Sequence, residues 1–371
     1  MLILTWENSM KHILHSAAAV LSLTMGMAVP NLTVQAQEMT PALKELVAAA
    51  NKEREIVVTW SADTLGGAEG AKLFEERMAK LYGASVKVTW SPGRSMPEVG
   101  NEIAMRYTNG LPSPSDVYYG FSRNMADLIQ YDLFLKTPWK DYSPDRMTNE
   151  IVEKDTFVKI QTAYTGFAVS NKFAPYIPKS LEDLLKPEWK GKVATTSYGA
   201  GFEMLSSKDM WGPDKTVEWA KAFSGQVSGL LRCSDMDRLL SGEFAALVTD
   251  CGGTSAMQAI ADGYPLTHVI TPETAIVSFF YVAVPKNSAH PNAARLLSVY
   301  LLSDEGQRNI SKMRGGMDVH FLPGSKTGER IHKLEAEWGK KFVNADIEWQ
   351  LKNEIGNKTQ RIVKDILTRG K

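Results

Sequence analysis

Glu55-Ile56-Val57-Val58-Thr59-Trp60 is a run of β-branched and aromatic side chains that predicts a buried strand. Residues 69–82 follow with apolar side chains at helical spacing, and Gly83 ends that helix pattern. The same strand-then-helix order returns over 86–108 and again over 116–131. This repetition predicts an α/β fold.

Each of these three predicted strands opens into a turn that is polar or carries glycine. In open α/β sheets, ligands bind outside the carboxyl ends of the strands. We therefore expect the three turns to share one rim at which a small molecule binds.

The chain has 371 residues, 42 Lys and Arg against 42 Asp and Glu, and 44% hydrophobic residues. This length suits two domains or one large α/β unit, and the apolar fraction excludes a disordered chain. A net charge of zero argues against nucleic acid as a partner, because that partner requires a surplus of Lys and Arg. The two Cys residues are too few for a disulfide scaffold or a cysteine-based zinc site, and the dispersed histidines predict no metal site.

The N-terminus predicts export. Lys11 precedes an apolar run of small residues at 17–29, which has the length of a signal-peptide core and is too short to span a bilayer. Small residues before Gln37 predict a signal peptide over 1–36, cleaved after Ala36. The segment ahead of the first basic residue fits a signal peptide poorly, which makes Met10 a candidate for the true start.

The strand and helix alternation restarts after Gly166. Strand patterns lie at 167–171, 192–196 and 244–249, and an apolar run at 274–284 is long enough to pass from one lobe to another. Two lobes joined by two crossover strands are therefore expected. We assign the domains as a signal peptide at 1–36, a first lobe at 37–165 and 270–371, and a second lobe at 166–269.

Three segments carry a resemblance to a known family. They are Leu181-Glu182-Asp183-Leu184-Leu185-Lys186-Pro187-Glu188-Trp189-Lys190-Gly191-Lys192-Val193-Ala194, Gly242-Glu243-Phe244-Ala245-Ala246-Leu247, and His290-Pro291-Asn292-Ala293-Ala294-Arg295-Leu296-Leu297 with Leu302-Ser303-Asp304-Glu305-Gly306-Gln307. Their sequence and order resemble bacterial extracellular solute-binding proteins, above all the ferric-iron and related branch of the type II periplasmic binding proteins. The resemblance implies the two-lobe type II fold and the role of periplasmic substrate-binding subunit of an ABC importer. The implied partners are a small-molecule solute and an ABC permease in the inner membrane.

One departure from the family concerns the solute. Ferric-binding members usually carry adjacent tyrosines just after the strand that here ends at Thr249, whereas this chain has Asp250-Cys251-Gly252. The pair Tyr118-Tyr119 lies in the first lobe instead. Ferric iron is therefore kept only as an alternative, and Arg94 with two predicted helix starts makes an organic or phosphorylated anion, or an anionic metal chelate, the expected solute. An amine or polyamine is also open, because carboxylates with aromatic faces suit ammonium groups; the residues concerned are Asp63, Asp116, Asp250, Trp60 and Trp90.

The anion prediction depends on predicted helix starts. Arg94 lies at one of them, with Ser95 able to cap, and a guanidinium beside free backbone N–H groups holds a carboxylate or phosphate. The alternative is a solvated arginine in a loop. Ser197 and Gly199 precede another helix in the second lobe, where glycine lets backbone approach a ligand, and a plain N-cap and turn is the alternative.

The remaining predicted ligand-binding residues are Asp63, Tyr118, Tyr164, Asp250 and Phe280. The two aspartates end strands and either bind the ligand or cap their own loops. Tyr118 and Tyr119 point to opposite faces of an extended strand, and we assign Tyr118 to the cleft. Tyr164 and Phe280 lie at the crossings, where they flank the solute or pack in the hinge.

Cys233 and Cys251 are 18 positions apart in an exported chain. One precedes a helix and the other follows a strand of the same predicted lobe, so we predict a disulfide, with two buried thiols as the alternative.

Catalysis is not predicted. The sequence contains no G-x-S-x-G elbow, P-loop, HExxH or strand-linked G-x-G-x-x-G motif, and Ser197 has no assignable histidine partner. A secreted hydrolase with a scattered triad is the remaining alternative. We expect a monomeric binding protein without a cofactor.

Overall fold

The structure, a computed structural model, describes residues 39–62 and 64–369. The predicted signal peptide and the predicted ligand residue Asp63 lie outside them. The helices are α1 (Pro41–Glu53), α2 (Gly67–Tyr82), α3 (Met96–Thr108), α4 (Ser122–Leu128), α5 (Trp139–Tyr142), α6 (Phe202–Leu205), α7 (Pro213–Phe223), α8 (Asp237–Leu240), α9 (Thr254–Ala261), α10 (Pro291–Leu302), α11 (Asp304–Met313), α12 (Lys326–Trp338), α13 (Ile347–Lys352) and α14 (Glu354–Thr368). The strands are β1 (Glu55–Trp60), β2 (Lys87–Pro92), β3 (Tyr118–Phe121), β4 (Val152–Glu153), β5 (Phe157–Tyr164), β6 (Phe167–Ser170), β7 (Val193–Thr196), β8 (Val227–Leu231), β9 (Ala246–Val248), β10 (Leu266–Val269), β11 (Ile276–Ala283) and β12 (Val343–Ala345). Within this part of the chain, no helix combines the length and the apolar surface that crossing a bilayer requires.

The first lobe begins with the predicted strand and helix repeats. β1 alternates buried and half-exposed residues and pairs in parallel with β2 along its whole length, so the two strands end at the same edge. Asp116, in the segment before β3, holds that segment against β1. Its N–H donates to the Val57 carbonyl (2.8 Å) and its Oδ2 accepts from the Val57 N–H (2.7 Å).

The antiparallel pair β5 and β11 forms the junction between the lobes. The chain leaves the first lobe after β5 and returns to it at β11, and every residue of both strands is buried. β11 also pairs with β3 through its second half and with β12 through its first three residues. The predicted two-lobe α/β fold and its two crossovers are thereby confirmed.

The second lobe is one five-stranded sheet in the order β10-β6-β9-β7-β8. β7 is parallel to both β8 and β9, so the loops after these three strands open at one edge of the sheet. A core rich in aromatic side chains covers the sheet; it includes Trp189, Phe202, Trp219 and Phe223.

The C-terminal segment crosses between the lobes a third time. α13 packs on α4 of the first lobe, whereas α14 packs on α6 and α7 of the second. Val363 and Leu367 are buried in the second lobe's core. Asn353 separates α13 from α14, and its side-chain amide donates to the Glu203 carbonyl (2.8 Å). The expected assignment of all of 270–371 to the first lobe is therefore wrong beyond Asn353, because an amphipathic pattern does not specify which lobe covers its apolar face.

Leu367→Ala should lower the free energy of unfolding by about 2–4 kcal/mol, because it leaves a cavity in the second lobe's core. Ile362 lies in the same helix with 52% of its surface exposed, so Ile362→Ala is a matched control with a change within about 0.5 kcal/mol. Urea unfolding of both variants measures the difference. Equal midpoints would contradict the placement of α14.

Candidate functional site

One face of the β5–β11 pair is turned toward the second lobe. This face, called the cleft floor below, carries Gln161, Ala163, Ser278 and Phe280, which share it because Ser278 pairs with Ala163 and Phe280 with Gln161. Second-lobe residues lie against it. A Cβ added to Gly252 would come within 2.8 Å of the Ala163 Cβ, and Met204 packs on Ile276 beside Ser278.

Two polar groups on the cleft floor belong to a set of buried atoms without a hydrogen-bond partner in the described chain, a set that also includes Trp139 Nε1 and Trp189 Nε1 in the cores of the two lobes. The Nε2 of Gln161 and the Oγ of Ser278 are buried without a hydrogen-bond partner among the described residues. Both side chains have 0% exposure. Buried polar groups in folded proteins are nearly always hydrogen-bonded, so the floor is a candidate binding surface.

Arg314 brings a guanidinium to the edge of the floor. It is 7% exposed, its Nε donates to Gln161 Oε1 (3.1 Å) and its Nη2 donates to the Tyr119 hydroxyl (3.0 Å). Its Cζ lies 5.5 Å from the Phe280 ring centroid. These two bonds to neutral acceptors fix the orientation of the guanidinium.

Sequence reasoning missed Arg314, because this residue lies at no predicted strand end, helix start or crossing. Arg314 follows the helix α11 instead. The one available signal was an arginine directly before Gly315-Gly316, a turn that permits close backbone contact.

An aromatic pair borders the same edge. The Tyr119 ring stacks on Phe280 at 5.3 Å between centroids and packs against Trp60 at 5.9 Å. Tyr118 is fully buried instead, with its hydroxyl donating to the Met96 carbonyl (2.9 Å), and burial raises its pKa. The structure therefore brings Tyr119, not Tyr118, to the cleft. Alternation along the strand predicts that the two point apart, and only the packing of β3 decides which one faces the cleft.

α9 of the second lobe lies against the turn that carries Arg314. The Gly315 N–H donates to Gln258 Oε1 (2.9 Å), and a Cβ at Gly315 would lie 2.1 Å from the Met257 carbonyl carbon, so only glycine fits. Thr254 comes four residues before Gln258 and shares its face of α9. Its hydroxyl is also buried without a partner in the described chain.

Asp250 stabilises the loop that leads into α9. It is 4% exposed, its Oδ1 accepts from the Gly253 N–H (3.0 Å) and its Oδ2 lies 3.1 Å from His268 Nε2. The loop-capping alternative therefore describes Asp250 better than ligand contact, because Oδ1 caps the turn and the buried Oδ2 lies against His268 within the second lobe.

Arg94 and Ser95 do lie at a helix start, but the structure does not bring them to the cleft floor. Glu98 Oε2 accepts from both the N–H (3.0 Å) and the hydroxyl (2.7 Å) of Ser95, which forms a capping box. The Arg94 side chain is 84% exposed and lies 4.0 Å from Glu98. Arg94 therefore fits the alternative of a solvated arginine in a loop, since an exposed ion pair contributes little to stability.

Ser197 and Gly199 lie on the second-lobe rim, in the loop after β7. Ser197 is exposed. Gly199 is buried with φ +64°, and its carbonyl accepts from Gln360 Nε2 of α14 (3.0 Å). The turn alternative therefore describes this loop, which packs on the C-terminal helix.

The predicted disulfide between Cys233 and Cys251 is present. It joins the loop after β8 to the loop after β9. The Tyr198 hydroxyl, from the loop after β7, lies 3.2 Å and 3.1 Å from the two Sγ atoms and accepts from the Cys233 N–H (3.3 Å). Three loops of the second-lobe rim are thus tied together.

Replacing both Cys233 and Cys251 with serine should lower the free energy of unfolding by about 3 kcal/mol through loop-closure entropy alone. Tyr198→Phe keeps the ring and removes only the hydroxyl, so it should lower the free energy of unfolding by about 1 kcal/mol. Urea unfolding of oxidised protein compares the two variants. A double variant as stable as the natural protein would show that the bond does not constrain the rim.

Tyr164 lies at the hinge end of β5 and is 1% exposed. Its N–H donates to the Gly252 carbonyl (3.1 Å), and its ring lies 4.7 Å from the Arg330 guanidinium. Burial raises its pKa. Hinge packing, rather than solute contact, describes this residue.

Glu203 is a half-buried acid with a buried carboxyl oxygen that sequence reasoning did not identify. Its Oε2 has no hydrogen-bond partner among the described residues. Burial raises the pKa of its carboxyl to about 7, although the N–H groups of Glu203 and Gly201 and the charge of Arg123 act in the opposite direction. The folded protein therefore holds this proton to a higher pH than the unfolded chain does.

Glu203→Gln should become more stable than the natural protein as the pH rises. Below the ordinary pKa of 4.5 the group is protonated in both states, and between 4.5 and about 7 the unfolded chain loses its proton first, so the natural protein loses stability across this window. The advantage of the variant should grow to at most about 3 kcal/mol. Thermal unfolding from about pH 4 to about pH 8 measures it, and a constant difference would contradict the burial argument.

No group of three or more His, Cys, Asp or Glu side chains is placed to hold a metal ion within residues 39–62 and 64–369. A cavity of about 1000 Å³ lies beside α11 and the segment 315–326. Its lining includes none of the predicted ligand residues.

A sequence profile of the bacterial extracellular solute-binding protein family matches residues 114–345, which is more than half of the chain. The chain belongs to this family. The matched region contains the cleft floor, Arg314 and the whole second-lobe sheet. These parts of the candidate site therefore lie within the segment that the family shares.

Three similar proteins bind different solutes. The Fe(3+)-binding periplasmic protein of Serratia marcescens is 30% identical over 149 residues, which cover 37% of this chain and only 40% of that protein. The structure is similar to the periplasmic binding protein AfuA of Actinobacillus pleuropneumoniae with bound fructose-6-phosphate (TM-score 0.64, 18% identity, 84% of this chain and 98% of that chain). It is also similar to the spermidine/putrescine substrate-binding protein PotD of Streptococcus pneumoniae (TM-score 0.60, 13% identity, 84% and 99%). At these identities the two structures support the two-lobe fold and leave the solute open.

Proposed function

We propose that this protein is the periplasmic substrate-binding subunit of an ABC importer and that it captures a small anionic solute between its lobes without transforming it. Membership of the solute-binding family supports the general role. The signal-peptide pattern at 1–36, with cleavage after Ala36, supports export. The protein acts as a monomer and delivers its solute to an inner-membrane permease.

The guanidinium of Arg314 is the observation that carries the choice of an anion. It lies at the junction of the lobes, where it donates to Gln161 Oε1 and to the Tyr119 hydroxyl, and water has little access to it. A charge-assisted bond to a carboxylate or phosphate is strong in such a position, because the surroundings screen it poorly. Binding energy realised between the two lobes would favour their closed arrangement.

A cationic amine is the weaker alternative. The Asp116 carboxylate already accepts from the Val57 N–H (2.7 Å), the Ser288 hydroxyl (2.7 Å) and the His290 N–H (3.1 Å). Asp250 is engaged within its own loop. Two of the three acids that suit an ammonium group are thus committed to structural bonds, and Asp63 lies outside the described residues.

The similarity to the Serratia relative favours binding of bare ferric iron, whereas the donor groups of this chain argue against it. The family position after β9 carries Asp250 and Cys251, and Cys251 is in a disulfide. Of the two first-lobe phenols, Tyr118 is buried on the Met96 carbonyl and Tyr119 accepts from the Arg314 guanidinium. An iron held as an anionic chelate stays within the proposal.

Arg314→Gln should weaken binding of the natural solute by about 2–4 kcal/mol, because it removes the charged partner from a water-poor position. Arg94→Gln is the matched control and should change binding by less than about 0.5 kcal/mol, because Arg94 is solvated. Native mass spectrometry of freshly purified protein identifies the bound compound, and calorimetry with that compound compares the variants.

Three results would contradict the proposal. They are a bound amine or a bare iron ion in the native spectrum, an unchanged affinity in Arg314→Gln, and chemical conversion of the compound during incubation.

A further inference from the structure

We propose that Arg330 and Gln258 are positioning residues for solute capture: they hold helix α9 of the second lobe against the first lobe and so keep the lobes close together before any solute is bound. The contacts of these two side chains across the junction are called the α9 clamp below. The inference rests on the proposed function only in taking the space between the lobes as the solute site. It does not depend on the charge of the solute.

Helix α9 packs on the cores of both lobes. Ala256 and Ala259 are buried in a core of the second lobe. Met257, between them in sequence, packs against the core of the first lobe. The chain continues from α9 into β10, a strand of the second-lobe sheet. The attachment of α9 to the first lobe is therefore non-covalent.

Arg330 contacts the second lobe from α12, a helix that packs on the first lobe's core through Ile331. Its Nη2 donates to the His268 carbonyl of β10 (2.9 Å), and its Nη1 lies 3.3 Å from Met257 Sδ. Its Cζ lies 4.7 Å from the centroid of the Tyr164 ring, at the hinge end of β5. One first-lobe side chain thus contacts α9, the strand that follows it and a crossing strand. A charged donor makes a stronger hydrogen bond than a neutral one.

Gln258 supplies the second bond of the clamp, this time from the second lobe to the first. Its Oε1 accepts from the Gly315 N–H (2.9 Å), and its Nε2 donates to Asp262 Oδ1 (3.0 Å). These two bonds fix which end of the amide faces the first lobe, because a backbone N–H only donates and a carboxylate only accepts. Gly315 is buried, so separation of the lobes would expose its N–H and break the bond.

The clamp lowers the cost of capturing a solute. A protein binds its solute more weakly when the binding arrangement is rarely populated, because the apparent affinity falls with the populated fraction. Bonds that join the lobes without solute raise that fraction. Removing either bond should therefore shift the solute-free protein toward separated lobes.

Arg238 provides a matched control for Arg330. Its Nη1 donates to the Leu230 carbonyl (3.3 Å), and its Cζ lies 4.9 Å from the centroid of the Phe244 ring. Both partners belong to the second lobe, as Arg238 does. Arg238→Gln thus removes a carbonyl bond and a ring contact like those of Arg330 without changing the junction. Arg330→Lys is the conservative variant, since it keeps a charged donor.

Gln360 provides a matched control for Gln258. Its Nε2 donates to the Gly199 carbonyl (3.0 Å). Both groups lie in the second lobe, because α14 packs on α6 and α7. Gln360→Ala removes a glutamine bond to backbone inside one lobe, whereas Gln258→Ala removes such a bond between two lobes.

The distance between the lobes is the quantity that decides the proposal. Lys80 on α2 and Lys221 on α7 are exposed residues of the first and second lobe. Nitroxide labels on Lys80→Cys and Lys221→Cys, with the native disulfide kept oxidised, report that distance by double electron–electron resonance. The protein is unfolded in urea and refolded without solute before each measurement.

Arg330→Gln should raise the ratio of long to short distances roughly tenfold, and Gln258→Ala should raise it about fivefold, because a bond from a charged donor contributes more than a neutral one. Arg330→Lys should recover part of the natural distribution. Arg238→Gln and Gln360→Ala should keep it. Urea unfolding of the same samples separates this effect from a general loss of stability, which would lower the midpoints and leave the distances unchanged.

An unchanged distance distribution in either Arg330→Gln or Gln258→Ala would overturn the clamp, and so would an equal shift in the matched controls. If Arg330→Gln does not refold, the result for Gln258→Ala decides. No solute is present in these measurements, so such a result leaves the proposed function standing. An unchanged solute affinity in Arg314→Gln would instead overturn the proposed function and leave the clamp standing.

Discussion

The hydrogen-bonded pairing of β5 with β11 is the constraint on which the rest of the molecule depends. Each strand leads into a crossing, so their register decides how the lobes are placed and which side chains face the second lobe. A shift by one residue would turn Gln161 and Ser278 away from the cleft and present Thr162 and Phe279 instead. β3 and β12 add to the same strand β11, which extends this control to Tyr119 and to the C-terminal crossing.

The second lobe presents a rim held by its own internal bonds. The disulfide and the Tyr198 hydroxyl join the loops after β7, β8 and β9, and Asp250 and His268 hold the turn into α9 from beneath. Because these contacts already restrict the backbone of the rim loops, a solute bound there would reduce their conformational entropy only slightly, which lowers the entropic cost of binding. The polar residues best placed by sequence to touch a ligand here, such as Asp250, are used for this rigidity.

The contrast between the two arginines shows how burial decides function. Arg94 has the local sequence context of an anion site, yet its side chain is surrounded by water, where a guanidinium and an anion attract weakly. Arg314 has no such context, and the junction of the lobes removes it from water and fixes its orientation through Gln161 and Tyr119. The same charge is therefore a surface group at one position and a candidate recognition group at the other.

The amino-acid sequence by itself determined the α/β class and the two-lobe organisation with its crossovers, because these follow from local periodicity, turn residues and family motifs. It also predicted the Cys233–Cys251 pairing, because these are the two cysteines of a chain with an export signal pattern. It also determined that Tyr118 and Tyr119 point apart. Only the tertiary structure decided that Tyr119 faces the cleft, that α14 covers the second lobe, and that Arg314 bonds to Gln161 across more than 150 residues of chain. The physical reason is that burial and the pairing of distant strands are properties of the assembled lobes, and no local pattern of residues encodes them.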